Sequence, residues 1–114
     1  MKLPNAHLAV VERTKLAEYL LNPVHQYGAS KALFFLSFGF EVGAWEVLAA
    51  AFREHGQRHE VKAQEETPFG PRYEVEGHLH TPDGRNPHIR TVWQMDKGQL
   101  APRLITAYPV DKIV

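Results

Sequence analysis

No cysteine occurs in the 114 residues, which removes disulfide frameworks, thiolate metal sites and cysteine nucleophiles together. Net charge is missing as well. Lys and Arg number 13 and Asp and Glu number 13, so no overall field draws the chain to a polyanion or an anionic membrane, although a local basic patch is compatible with neutrality. Long apolar runs are also absent: MKLPNAHLAVVERTK lacks the apolar core of a secretory signal, and ALFFLSFGF is about half of a membrane span. These absences lead us to expect a soluble, cytoplasmic chain with no membrane partner. No repeat and no Gly/Ser-rich or Pro-rich linker divides it. An apolar fraction of 44% suffices for one core, so residues 1–114 are expected to form a single domain.

What is present divides into two halves of different period. Leu16, Tyr19 and Leu20 fall at i, i+3 and i+4 within residues 14–21, the stripe of a short amphipathic helix. Asn22-Pro23 ends it, because the residue before a proline is pushed out of the α region, and a loop runs on through Gly28. Ser30 is a suitable cap for a second helix over KALFFLSF. Trp45, Leu48, Ala49 and Phe52 repeat the i, i+3, i+4, i+7 spacing, and Gly56 is placed to end this third helix.

Beyond Gly56 the period becomes two. In RYEVEGHLHT, residues Tyr73, Val75, Gly77 and Leu79 share one face, and Glu74, Glu76, His78 and His80 the other, as in a half-buried strand. TPDGR follows, with Pro82, Asp83 and Gly84 suited to a three-residue hairpin loop with a bulge. If Thr81 opposes Arg85, then Glu76 opposes Arg90, His78 opposes His88 and Tyr73 opposes Trp93. Ile89, Thr91, Trp93 and Met95 then join Tyr73 and Val75 on the buried face. HEVKAQEE and PRLITAYPV supply two more strands. The fold class is α+β, with three N-terminal helices packed on a C-terminal four-stranded antiparallel sheet. The parity of the last strand stays open: Arg103, Ile105 and Ala107 make one face, and Leu104, Thr106 and Tyr108 the other.

Four groups of residues are candidates for chemistry. In NPVHQYGASKALFF, His25 and Lys31 flank a glycine loop that would let them converge, and a lysine in the first turn of a helix suits an anionic partner. Glu76, His78, His80 and His88 gather on the open face of the hairpin, where His-x-His spacing is that of strand-borne metal sites; a solvated strand also produces such clusters without a ligand. Arg90, opposite Glu76, reads first as a cross-strand ion pair. Arg103 and Thr106 are three apart and would face opposite ways on a regular strand, so they share a site only across a bulge.

The order NPVHQYGASKALFF, FGPRYEVEG, RTVW and PRLITAYP resembles, over nearly the whole chain, a bacterial family of domains of unknown function that occurs as small single-domain proteins and as C-terminal modules of polymorphic toxins. The layout is also similar to the small ribonuclease fold of barnase, colicin nucleases and RelE-type toxins. That likeness implies metal-independent cleavage of RNA. A base takes the proton of a ribose 2′-OH, the oxygen attacks the adjacent phosphorus, and an acid protonates the leaving 5′-oxygen. His25 is the natural acid or base. Lys31, Arg90 or Arg103 would hold the phosphate, and Thr106 would donate one more hydrogen bond. The neutral net charge implies a short RNA substrate. No cofactor or metal is called for on this reading. Its rivals are a non-catalytic module paired with a partner encoded by a neighbouring gene, and a metal-dependent enzyme using the His78/His80 face. A toxin also requires a cognate immunity or antitoxin-like protein, so the first two readings both call for a partner.

One stability prediction rests on the turn alone. Gly84→Val should cost about 1 kcal/mol or more, because a β-branched residue resists positive φ; urea denaturation of the two proteins measures it.

Overall fold

Leu16, Leu20 and Leu21 are all fully buried, a spacing that a regular α-helix does not place on one face. The computed structural model, which describes residues 1–24 and 29–110, shows how the backbone achieves it. Helix α1 (residues 13–20) opens as one α-turn, Arg13–Lys15, and widens into a π-helix over Leu16–Leu20. The Leu21 N–H donates to the Leu16 carbonyl at 2.7 Å, an i→i+5 bond that brings Leu21 round to the core side. Asn22 ends the helix as expected, its Oδ1 accepting from the Val24 N–H at 3.1 Å.

Helix α2 is Ala29–Leu36. Ser30 therefore lies inside the first turn rather than at its cap. Helix α3 spans Trp45–Arg58 after a 3-10 turn at Val42–Ala44, and it runs through Gly56 instead of stopping there. A Cβ at Gly56 would lie 2.8 Å from the Trp93 ring. The glycine is thus a packing device: its bare backbone lets α3 press against the indole.

Four strands, β1 (Val61–Thr67), β2 (Gly70–His78), β3 (His88–Gln94) and β4 (Arg103–Pro109), form an antiparallel sheet in sequence order. The three helices cover one face, and the expected α+β architecture is what the chain adopts. Tyr73, Val75, Ile89 and Trp93 meet Leu16, Leu20, Phe35, Leu48 and Phe52 in the core. The Phe35 and Phe52 rings meet edge to face at 5.3 Å. Among the described residues no helix is long and apolar enough to cross a membrane.

The hairpin register is the expected one: Tyr73 faces Trp93, Glu76 faces Arg90 and His78 faces His88. The tight loop is not. The ladder ends at His78 and His88, and Thr81 and Arg85 do not pair across it. Thr81 is clasped to Asn86 instead: its N–H donates to Asn86 Oδ1 at 2.9 Å, and the Asn86 N–H donates to Thr81 Oγ1 at 3.1 Å. Pro87 has no N–H to give a ladder, and Arg85 is drawn away to Asp83 and the Ser37 carbonyl. The turn within the loop is still the expected one, since the Gly84 N–H reaches the Thr81 carbonyl at 3.1 Å and Gly84 has φ +78°.

The N-terminal segment, to which the periodicity assigned nothing, spans the sheet's end. Lys2 bridges Glu60 beside β1 and Val10 bridges Arg103 at the start of β4, while Leu3, Ala9 and Val11 are buried.

The core also holds a polar chain. His55 is 1% exposed; its Nε2 lies 3.1 Å from the Gly77 carbonyl and its Nδ1 2.9 Å from Thr91 Oγ1, which accepts from Trp93 Nε1 at 2.8 Å. A carbonyl only accepts, so Nε2 carries the proton and Nδ1 accepts from the Thr91 hydroxyl. Every group is satisfied only while the ring is neutral. Burial, with the positive potential of His59 and His88 and against the hydrogen bond to Gly77, pushes its pKa down from 6.5 to about 4.

In the unfolded chain His55 regains its ordinary affinity for a proton, so the unfolded state binds the extra proton between pH 6.5 and 4. Stability from this group is therefore full above that window and falls as pH drops through it, by up to about 3 kcal/mol. Urea midpoints at pH 7 and pH 4.5 should differ more in the native protein than in His55→Gln; equal pH dependence would contradict the assignment.

Candidate functional site

The last strand carries one residue too many. Val92 pairs with Thr106 but Trp93 pairs with Leu104, so Ile105 bulges out of register. The bulge resolves the open parity: Leu104 and Ala107 are both buried, while Arg103, Thr106 and Tyr108 share the outer face, opposite Gln94, Val92 and Arg90.

At the β4 edge this face meets the helices. Lys31 reaches from the first turn of α2, and its Nζ donates to Tyr19 Oη at 2.7 Å and to Thr106 Oγ1 at 3.0 Å. The two hydroxyls are 3.5 Å apart. The ammonium also lies 5.3 Å from the centre of the Tyr19 ring and 5.7 Å from that of Tyr108, within cation–π range. Tyr108 is held from its other side by Arg90, which donates to its hydroxyl at 3.2 Å. Arg90 is in turn bonded to Glu76 and lies 3.8 Å from Glu74. Side chains from α1, α2, β2, β3 and β4 thus converge on one half-buried patch.

The electrostatics follow from that packing. Partial burial alone would raise the Tyr19 phenol, but the hydrogen bonds with Lys31 and Thr106 and the charges of Lys31 and Lys15 outweigh it, so the phenol sits below its usual range. The Glu76 hydrogen bond, reinforced by Tyr108, holds the Arg90 guanidinium above its ordinary value. A fixed ammonium beside an acidified phenol and a hydroxyl can bind an oxyanion and exchange a proton with it.

Of the residues singled out in the sequence, Lys31, Arg90 and Thr106 come together here. Arg103 does not: its Nε donates to Asp96 at 2.6 Å, beside a separate groove of about 430 Å³ that Glu12 and Lys97 also line. His25 lies outside the described residues. His78 and His80 diverge, His78 Nδ1 to the Asn86 carbonyl at 2.9 Å and His80 Nδ1 to Glu54 at 2.7 Å. Among the described residues no three His, Cys, Asp or Glu side chains stand where they could hold a metal ion. Glu76 pairs with Arg90 as its place opposite it predicts, whereas Tyr19 and Tyr108 are site residues that the sequence pattern does not single out. Tyr19 was read as apolar stripe, and a period reports only which face a ring enters, not where its hydroxyl ends.

Lys31→Met should raise the Tyr19 phenol, since burial would then act with less opposition. Tyrosinate absorbance or ring NMR across pH 8 to 12 measures it, and an unchanged titration would show that Lys31 does not set the phenol.

The likenesses to known proteins can be set against this geometry. No curated protein matches the chain. Among solved structures, a chain of a "Contact-dependent growth inhibition toxin - immunity protein complex from Klebsiella pneumoniae 342" is similar, with a TM-score of 0.69 and 17% identity, covering 94% of this chain and 97% of that one. At that identity the likeness is one of fold. Residues 2–111 match the profile described as Domain of unknown function (DUF6883), which bears out the family resemblance carried by NPVHQYGASKALFF and PRLITAYP, and the chain belongs to that family.

Proposed function

We propose that this domain is a metal-independent ribonuclease of the toxin kind, with its reacting phosphate at the Lys31–Thr106 patch. The observation that carries the reading is the Lys31 ammonium held by two hydroxyls, at 2.7 and 3.0 Å, at the β4 edge of the sheet. Lys31 stabilises the charge that grows on the phosphoryl oxygens as the 2′-oxygen attacks. Thr106 donates to the same oxygens. Tyr19, its phenol acidified by Lys31, and His25 are the two proton-transfer groups: one takes the 2′-OH proton and the other protonates the leaving 5′-oxygen, leaving a 2′,3′-cyclic phosphate and a 5′-hydroxyl. Arg90, engaged by Glu76, is a positioning residue that orients Tyr108. Arg103, bonded to Asp96, is assigned to backbone contact away from the reacting phosphate. The fold likeness to a chain of a toxin–immunity complex supports this reading, and the neutral net charge suits a short RNA segment.

The same likeness favours a second reading, a module bound by a partner of the immunity type without turnover. A toxin requires such a partner too, so only catalysis separates the two.

Purified protein should cleave single-stranded RNA with divalent metal chelated. Lys31→Ala and His25→Ala should each lower the rate by about 10²-fold or more while leaving the melting temperature within a few degrees. Wild-type protein that leaves RNA intact across pH 5 to 8 would remove the ribonuclease reading.

A further inference from the structure

We infer that the groove between the last turn of α3 and the β2–β3 loop is a second phosphate site, engaging the same RNA strand a few nucleotides from the reacting bond. The identity of the ligand rests on the ribonuclease reading; the anion chemistry of the groove does not. The groove encloses about 380 Å³ and is lined by Arg58, His59, His78, His80, Arg85 and Asn86.

Its basic side chains are held in place before any ligand arrives. The His59 ring lies on the bare backbone of Gly77, where a Cβ would collide with it, and its Nε2 donates to the His78 carbonyl at 2.8 Å. His78 Nδ1 donates to the Asn86 carbonyl at 2.9 Å. Because a carbonyl only accepts, each bond fixes one proton and leaves the ring's other nitrogen uncommitted to it. His80 spans Glu54 and Arg58, at 2.7 and 2.9 Å. Arg85 stacks on Phe38 at 4.3 Å and spends donors on Asp83 and the Ser37 carbonyl, which accounts for only part of its five N–H groups.

The lining sets the ligand class. Glu54 engages Arg58 and His80, Asp83 engages Arg85, and the His78 ring meets that of His88 edge to face at 5.3 Å. The groove's lining brings two guanidiniums, three imidazole rings and one amide together, a concentration of N–H donors that suits an anion. The exposed Arg58–Glu54 contact, at 3.4 Å, is weak and yields to a phosphate. An anion is the occupant this set favours.

Through His78 the groove reaches the outer face of the sheet. His78 and His88 pair across β2 and β3 one row beyond Glu76 and Arg90, with ring centres 5.3 Å apart. Strand rise and spacing put this end roughly 16 Å from Thr106, a span of a few nucleotides of single strand.

Two measurements test the assignment. Inorganic phosphate titrated at constant ionic strength should shift the ring NMR signals of His59, His78 and His80 saturably, and should cease to do so in Arg58→Gln/Arg85→Gln. A non-cleavable 2′-deoxy octanucleotide should shift the same rings, and the double variant should cleave a ribo-octanucleotide at least about tenfold less well relative to a dinucleotide than the native protein does. Arg58→Gln alone, an exposed substitution, carries the test if the double variant loses its fold. Rings unmoved by phosphate would overturn the site. Rings moved by phosphate but not by the octanucleotide would overturn its role on the RNA strand. If the octanucleotide moves the rings and no RNA is cleaved, the groove stands and the ribonuclease reading falls.

Discussion

The insertion of Ile105 into β4 determines which side chains Lys31 meets, because side chains on a strand alternate and one extra residue reverses every face beyond it. Without it, burying Leu104 would turn Ala107 outward and send Thr106 and Tyr108 to faces other than those they occupy. With it, Leu104 and Ala107 both fill the core, and Thr106 and Tyr108 both stand beside Lys31 and Arg90. The π-turn of α1 does the complementary task on the helical side. It buries Leu16, Leu20 and Leu21 together, and so holds Tyr19 half-buried with its hydroxyl at the β4 edge. Two departures from regular geometry, one in a helix and one in a strand, assemble the patch.

The rest of the fold fixes the distance between those two elements. Gly56 lets α3 lie against Trp93, and the chain from Trp93 through Thr91 and His55 to the Gly77 carbonyl ties α3 to β2 and β3. A buried polar chain of this kind is tolerated because each donor has an acceptor. His55 lies in the last turn of α3, so the same chain holds that turn, with Arg58 and His59, against the hairpin. The core chain and the outer groove are therefore two ends of one arrangement.

Most of the sheet was legible because alternation in RYEVEGHLHT and the Pro82-Asp83-Gly84 turn constrain register independently and agree. The β4 parity was not, since a bulge is chosen by what the helices need filled at Leu104 and Ala107 and leaves no local mark on PRLITAYP. Gly56 was misread for a similar reason: a glycine that ends a helix and one that admits an indole look alike until the partner is known. Asn86, with φ 49°, took the closing role expected of a Thr81–Arg85 pair because Pro87 denies the ladder a donor. In the site, residue types that announce chemistry, Lys31, Arg90 and Thr106, are legible, whereas Tyr19 reads as part of an apolar helix stripe and Tyr108 as one face of a strand of open parity, because a pattern places the rings and not their hydroxyls.

The central claim is that the patch around Lys31 performs a 2′-OH attack on phosphorus. The most direct measurement is the chemistry of the RNA ends left by the purified protein with divalent metal chelated. The account predicts 5′-hydroxyl and 2′,3′-cyclic phosphate ends. Ends bearing a 5′-phosphate and a 3′-hydroxyl, or RNA left whole, would contradict it.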